Sequence, residues 1–131
     1  MLLLIAAAAQ GGCDDEARLA RRAEAERITH SVRELREAEG SKVSALDRLR
    51  SQNCGDPKLC ELRDVCVDGY TQHQRGKDAT LALSRGLSQD AAADGAALQL
   101  SLAEKDLREA RVKTRRCADL EAEARREHGL K

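Results

Sequence analysis

The sequence predicts an all-α fold: an elongated antiparallel three-helix bundle around a disulfide-stabilised helical hairpin with coiled-coil-like seams. Three observations predict it. Ala, Leu, Arg, Glu and Lys supply 75 of the 131 residues, and Tyr70 is the single aromatic. Such a composition belongs to long helices when an apolar period near 3.5 residues accompanies it. That period runs unbroken through two stretches of the chain. Four of the five Cys fall where they can tie those stretches together.

The first predicted helix covers residues 15–52. Ala25, Ile28, Val32 and Leu35 are spaced 3, 4 and 3, and Leu46 and Leu49 resume the same heptad phase. Gly40-Ser41 interrupts the pattern. Either Gly40 ends one helix and Ser41 caps the next, or one weakened helix continues through. Gln52 to Pro57 is the clearest loop, with Asp56 as N-cap and Pro57 at the first helical position, where a missing N–H costs nothing. The second predicted helix, 57–86, carries the seam Leu59, Leu62, Cys66, Gly69, His73, Gly76, Thr80, Leu83. Ser88, Asp90 and Asp94-Gly95 offer turn signals. The third, 92–128, carries Ala96, Leu100, Ala103, Leu107, Ala110, Thr114, Cys117, Glu121, Ala124. Basic residues near its end suit the negative pole of the helix dipole, and Gly129 lies just beyond.

In an antiparallel hairpin, facing residues have numbers adding to a constant. A constant of 183 sets Cys66 opposite Cys117 and Gly76 opposite Leu107. Closely packed helices bring seam residues within the roughly 4.4–6.8 Å a disulfide needs. Cys66 is therefore paired with Cys117, and Cys54 with Cys60 across the loop and first turn. The competing connectivity is Cys54–Cys66 with Cys60–Cys117. Residues 13–131 contain only 21 Leu, Ile and Val, so the apolar core is thin and the crosslinks matter.

The chain opens MLLLIAAAAQGGC. An apolar run followed by small residues is the form of an export signal, and it is too short to span a bilayer. This segment resembles a bacterial lipoprotein signal peptide. Gln10 stands where that family usually has Leu, and no Lys or Arg precedes Cys13. The resemblance covers residues 1–13 and implies a signal peptide at 1–12 and lipidation of Cys13; the length and the seams make 13–131 a single helical domain. The resemblance also implies a lipid-anchored protein of the bacterial cell envelope facing the periplasm. An even number of remaining Cys suits an exported, oxidising setting.

Composition excludes several functions. The 23 basic and 23 acidic side chains cancel, which argues against a nucleic-acid partner held by phosphate contacts. One aromatic residue cannot build a base-stacking platform. Cys54-x₅-Cys60-x₅-Cys66 matches no zinc-site spacing, and no nucleophile with its base can be assembled, so no enzyme, metal or cofactor is expected. His73 reads as a tolerated polar seam residue. Gly69 and Gly76 read as points of close helix approach, and Tyr70 as packing on the first helix. Arg21-Arg22 and Arg115-Arg116 read as solvated, salt-bridged surface. The function expected is a helical interaction, spacer or scaffold module tethered by an N-terminal lipid and contacting a protein partner. Two alternatives are a periplasmic small-ligand or metal-binding protein using the space near Gly69, His73 and Gly76, and a cytosolic coiled-coil adaptor.

Overall fold

The computed structural model describes residues 12–87 and 95–131. Residues 1–11 of the expected signal peptide, and positions 88–94 where the hairpin turn was expected, lie outside the described residues. Among the described residues four helices make up the fold: α1 (Gly12–Glu37), α2 (Val43–Arg50), α3 (Pro57–Leu87) and α4 (Ala96–His128). The all-α bundle is therefore present, with one correction. The stretch 15–52 is two helices, not one. Gly40 adopts a left-handed φ of 69°, a conformation that ends a helix and that glycine reaches without a Cβ penalty.

The corner after α1 is closed by a side chain. Lys42 donates its ammonium hydrogens to the Leu35 and Ala38 carbonyl oxygens, at 2.8 and 2.7 Å. Those carbonyls have no partner further along the helix, so a cation placed there both bonds them and meets the negative pole of the dipole. α2 then folds back along α3 until the Gln52 carbonyl accepts from Arg63 at 2.9 Å. At the start of α3, Asp56 Oδ1 accepts from the Lys58 and Leu59 backbone N–H groups at 2.9 and 3.3 Å, the expected cap. Glu24 of α1 holds the same loop by accepting from the Gly55 N–H at 2.6 Å.

Helices α3 and α4 form the antiparallel hairpin. At 1.5 Å per residue they are about 45–50 Å long. The cross-helix pairs follow the expected register: Lys58 with Glu127 at 2.7 Å, Asp68 with Lys113 at 2.7 Å, and Arg75 with Asp106 at 3.0 Å. Cys66 is bonded to Cys117 with Cα atoms 4.9 Å apart, and Cys54 to Cys60 at 5.4 Å. α4 ends at Gly129, left-handed at φ 62°, with the Leu130 N–H returning to the Arg125 carbonyl at 2.9 Å. Leu130 packs on the core beside it, completing a Schellman cap with its apolar contact.

The core lies in one half of the hairpin. Ala25, Ile28, Val32 and Leu35 of α1 meet Leu46 and Leu49 of α2, Leu59 and Leu62 of α3, and Leu120 and Ala124 of α4, around the Cys66–Cys117 bond. The spacing that predicted helix 1 is thus a buried stripe. Beyond α2 the hairpin continues as two helices. Gly76, Ala103 and Ala110 are buried between them, while Leu81, Leu98 and Leu102 stay exposed.

Candidate functional site

The first three turns of α1 are wholly exposed, with Arg18, Leu19 and Arg22 facing Glu127 and His128 at the end of α4. Every residue from Gly12 to Ala23 is exposed, and burial begins only at Ala25. Cys13, the expected lipidation residue, is a free and exposed thiol at the start of this segment. About twelve helical residues, or ~18 Å at 1.5 Å per residue, separate it from the packed core. The segment carries Asp14, Asp15 and Arg18, with Arg18 and Asp15 ion-paired at 3.1 Å.

The proposed ligand gap near Gly69, His73 and Gly76 is closed. A Cβ on Gly69 would come within 2.9 Å of Lys113 Cβ, and one on Gly76 within 2.8 Å of Leu107 Cγ. Both glycines serve helix approach. His73 is half-buried, and burial together with Lys77, Lys42 and Arg111 pushes its pKa below the ordinary value. Three cations around one imidazole repel a metal ion. Among the described residues, no group of three or more His, Cys, Asp or Glu is arranged to hold one.

Tyr70 is half-buried against the core cluster. The Lys42 ammonium lies 5.8 Å from its ring centroid, within cation–π range, so Tyr70 packs at the α1–α2 corner. Of the basic pairs, Arg116 bridges to Glu61 at 3.1 Å and Arg22 to Glu26 at 3.5 Å. Arg21 and Arg115 are exposed.

Sequence reading missed the polar network that orients α1. Glu121 is buried and accepts from Arg125 at 2.9 Å and from Arg36 of α1. Burial works against the Arg36 charge, but the hydrogen bond and attraction of Glu121, helped by Tyr70, raise its pKa. A buried carboxylate is tolerated when paired and costly when stripped of its partners. The signal was visible: Glu121 occupies a seam position, and Arg125 lies four residues on, where a helix places a side-chain neighbour. Gln72 is a second buried polar group, donating to Glu109 at 2.7 Å and Asp106 at 3.2 Å.

Comparison of the chain with protein-family models, with curated proteins and with solved structures finds no match. Among the described residues, no helix is long and apolar enough to cross a membrane.

Proposed function

We propose that this is a lipid-anchored protein of the bacterial cell envelope that faces the periplasm and works by protein–protein contact. In this reading Cys13 carries the lipid after cleavage behind Gly12. The exposed first turns of α1 are the stalk, and the disulfide-closed bundle is a helical spacer or scaffold module. The observation that carries the reading is the exposed Cys13, followed by ten wholly exposed residues, 14–23, before the core begins. A thiol needed for packing would be buried, as free Cys usually is. Two disulfides suit an oxidising compartment, and the exposed Leu81, Leu98 and Leu102 on the hairpin arm offer apolar surface for helix-on-helix recognition.

The test is metabolic labelling with radioactive palmitate followed by fractionation. The wild-type protein is expected to take up label and pellet with membranes. A Cys13→Ser variant is expected to remain unlabelled. An unlabelled wild-type protein in the soluble fraction would overturn the anchor. Chemical crosslinking in envelopes is expected to capture a protein partner through the hairpin arm, and a Leu98→Ser/Leu102→Ser variant to lose it. Capture unchanged in that variant would remove the arm from the proposal.

A further inference from the structure

We propose that the open groove between α1 and the C-terminal turn of α4 binds a phosphate-bearing ligand. The groove encloses about 590 Å³ and is lined by Arg22, Arg27, His30 and Arg33 from one side and by Arg125 and Lys131 from the other. Arg22, Glu26, Thr29, His30 and Arg33 share one face of α1, and Arg27, on the flank of that face, also lines the groove. The chain as a whole has no net charge. Within this groove five Arg and Lys side chains face one carboxylate, Glu26.

The internal pairings leave part of that charge unanswered. Glu26 is taken up by Arg22 at 3.5 Å, and His30 faces Glu34 at 3.5 Å. Arg125 is committed to Glu121 at 2.9 Å and to the Lys131 carbonyl oxygen at 2.8 Å. Among the described residues, Arg27, Arg33 and Lys131 have no carboxylate in ion-pair range. The C-terminal pole of α4 would ordinarily repel an anion. Here the Arg125 and Arg126 carbonyls already accept from the Leu130 and Gly129 N–H groups.

Guanidinium forks match the oxygen pairs of phosphate and bond two of them at once, which an ammonium cannot do. The volume is in the range of small-molecule sites and larger than a bare ion requires. The ligand class is therefore a phosphate ester on a larger body. That chemistry is found in a free organophosphate and in a phospholipid headgroup alike. The site does not depend on the lipid anchor. Arg27 lies fourteen residues from Cys13, about 21 Å along α1, so a headgroup would reach it only with α1 lying against the bilayer.

The test uses the full chain in its soluble Cys13→Ser form with two probes. Pyrophosphate is titrated calorimetrically, and vesicles of phosphatidylglycerol with phosphatidylcholine are compared with phosphatidylcholine alone by co-sedimentation. Arg27→Gln/Arg33→Gln is set against Arg111→Gln/Arg115→Gln, which removes the same charge elsewhere on the surface. Circular dichroism verifies that both variants fold. At least one probe is expected to bind, with affinity reduced at least about tenfold in the groove variant, corresponding to the loss of one charge-assisted hydrogen bond or more, and little changed in the control. Pyrophosphate binding assigns the site to a free phosphate ester, and binding to phosphatidylglycerol vesicles alone assigns it to a headgroup. Binding of neither probe, or equal weakening by both variants, overturns the site.

Discussion

Gly69 and Gly76 occupy equivalent seam positions, yet the neighbours that exclude a side chain differ in kind. At Gly69 an added Cβ meets Lys113 Cβ at 2.9 Å, the Thr114 backbone nitrogen at 3.1 Å and the Lys113 carbonyl carbon at 3.2 Å. Backbone and Cβ atoms cannot move without shifting α4, which the Cys66–Cys117 bond holds one turn away. At Gly76 the nearest obstacles, at 2.8 and 2.9 Å, are Leu107 Cγ and Cδ2, part of a half-buried side chain that can rotate outward, and the Ala103 carbonyl oxygen lies farther off at 3.3 Å. Overpacking a tight interface costs about 1–3 kcal/mol, while Ala replaces Gly in a helix with a gain near 1 kcal/mol. Gly69→Ala is therefore expected to destabilise by about 1–2 kcal/mol, and Gly76→Ala to stay within about 1 kcal/mol of wild type in either direction. Urea unfolding of the two variants compares them directly. Equal losses would mean that Leu107 is as immovable as the backbone.

At the scale of elements, one ammonium group caps the corner between α1 and α2. Lys42 bonds the Leu35 and Ala38 carbonyl oxygens at 2.8 and 2.7 Å and approaches that of Arg36 at 3.3 Å. Burial, with Lys77 nearby, lowers its pKa, so the cation is held there against its preference for water. Lys42→Met keeps the aliphatic stem and leaves the carbonyls unbonded. A loss of about 1–2 kcal/mol is expected from removing charge-assisted bonds at a partly exposed site, with faster amide exchange at the end of α1 than in α3. Unchanged exchange there would show that water caps the helix equally well. Periodicity revealed most of the core, because Ile28, Val32, Leu35, Leu46 and Leu49 each repeat at helical spacing, but not Ala45 and Leu120, which are buried off the seams. It could not decide the break, since Leu46 and Leu49 keep the heptad phase of α1 while lying on a helix that turns back. Lys42 gives no signal in the sequence, because capping carbonyls four to seven residues back has no spacing signature. Gln72 was hidden for a related reason: a buried polar residue looks like a surface one until its partners on another helix are in place. Cys66–Cys117 was legible because helix register reduces a three-dimensional pairing to addition, and Cys54–Cys60 followed from the cysteines left over at the loop and first turn.

At the scale of the molecule, the core and the crosslinks divide stability unequally along the hairpin. The large apolar side chains gather around α1, α2 and the adjoining half of α3 and α4. The outer arm has Gly76, Ala103 and Ala110 between its helices, residues that allow close approach but bury little apolar surface. The two disulfides enclose very different lengths of chain, with sequence separations of 51 and 6. On the chain-entropy account, the longer loop contributes about 4 kcal/mol and the shorter about 2 kcal/mol. The larger figure is comparable to the whole net stability of a small domain. The Cys66–Cys117 bond also sits at the edge of the apolar core, where it joins the supported half of the hairpin to the unsupported arm. Reduction is therefore expected to unfold most of α3 and α4, read as loss of helical circular dichroism at 37 °C. Cys66→Ala/Cys117→Ala should reproduce that loss, whereas Cys54→Ala/Cys60→Ala should lower the melting temperature and leave the helices formed. An unchanged melting temperature in reductant would mean that the apolar core alone holds the bundle. Equal losses from the two variants would mean that loop length is not what sets the contribution of each bond.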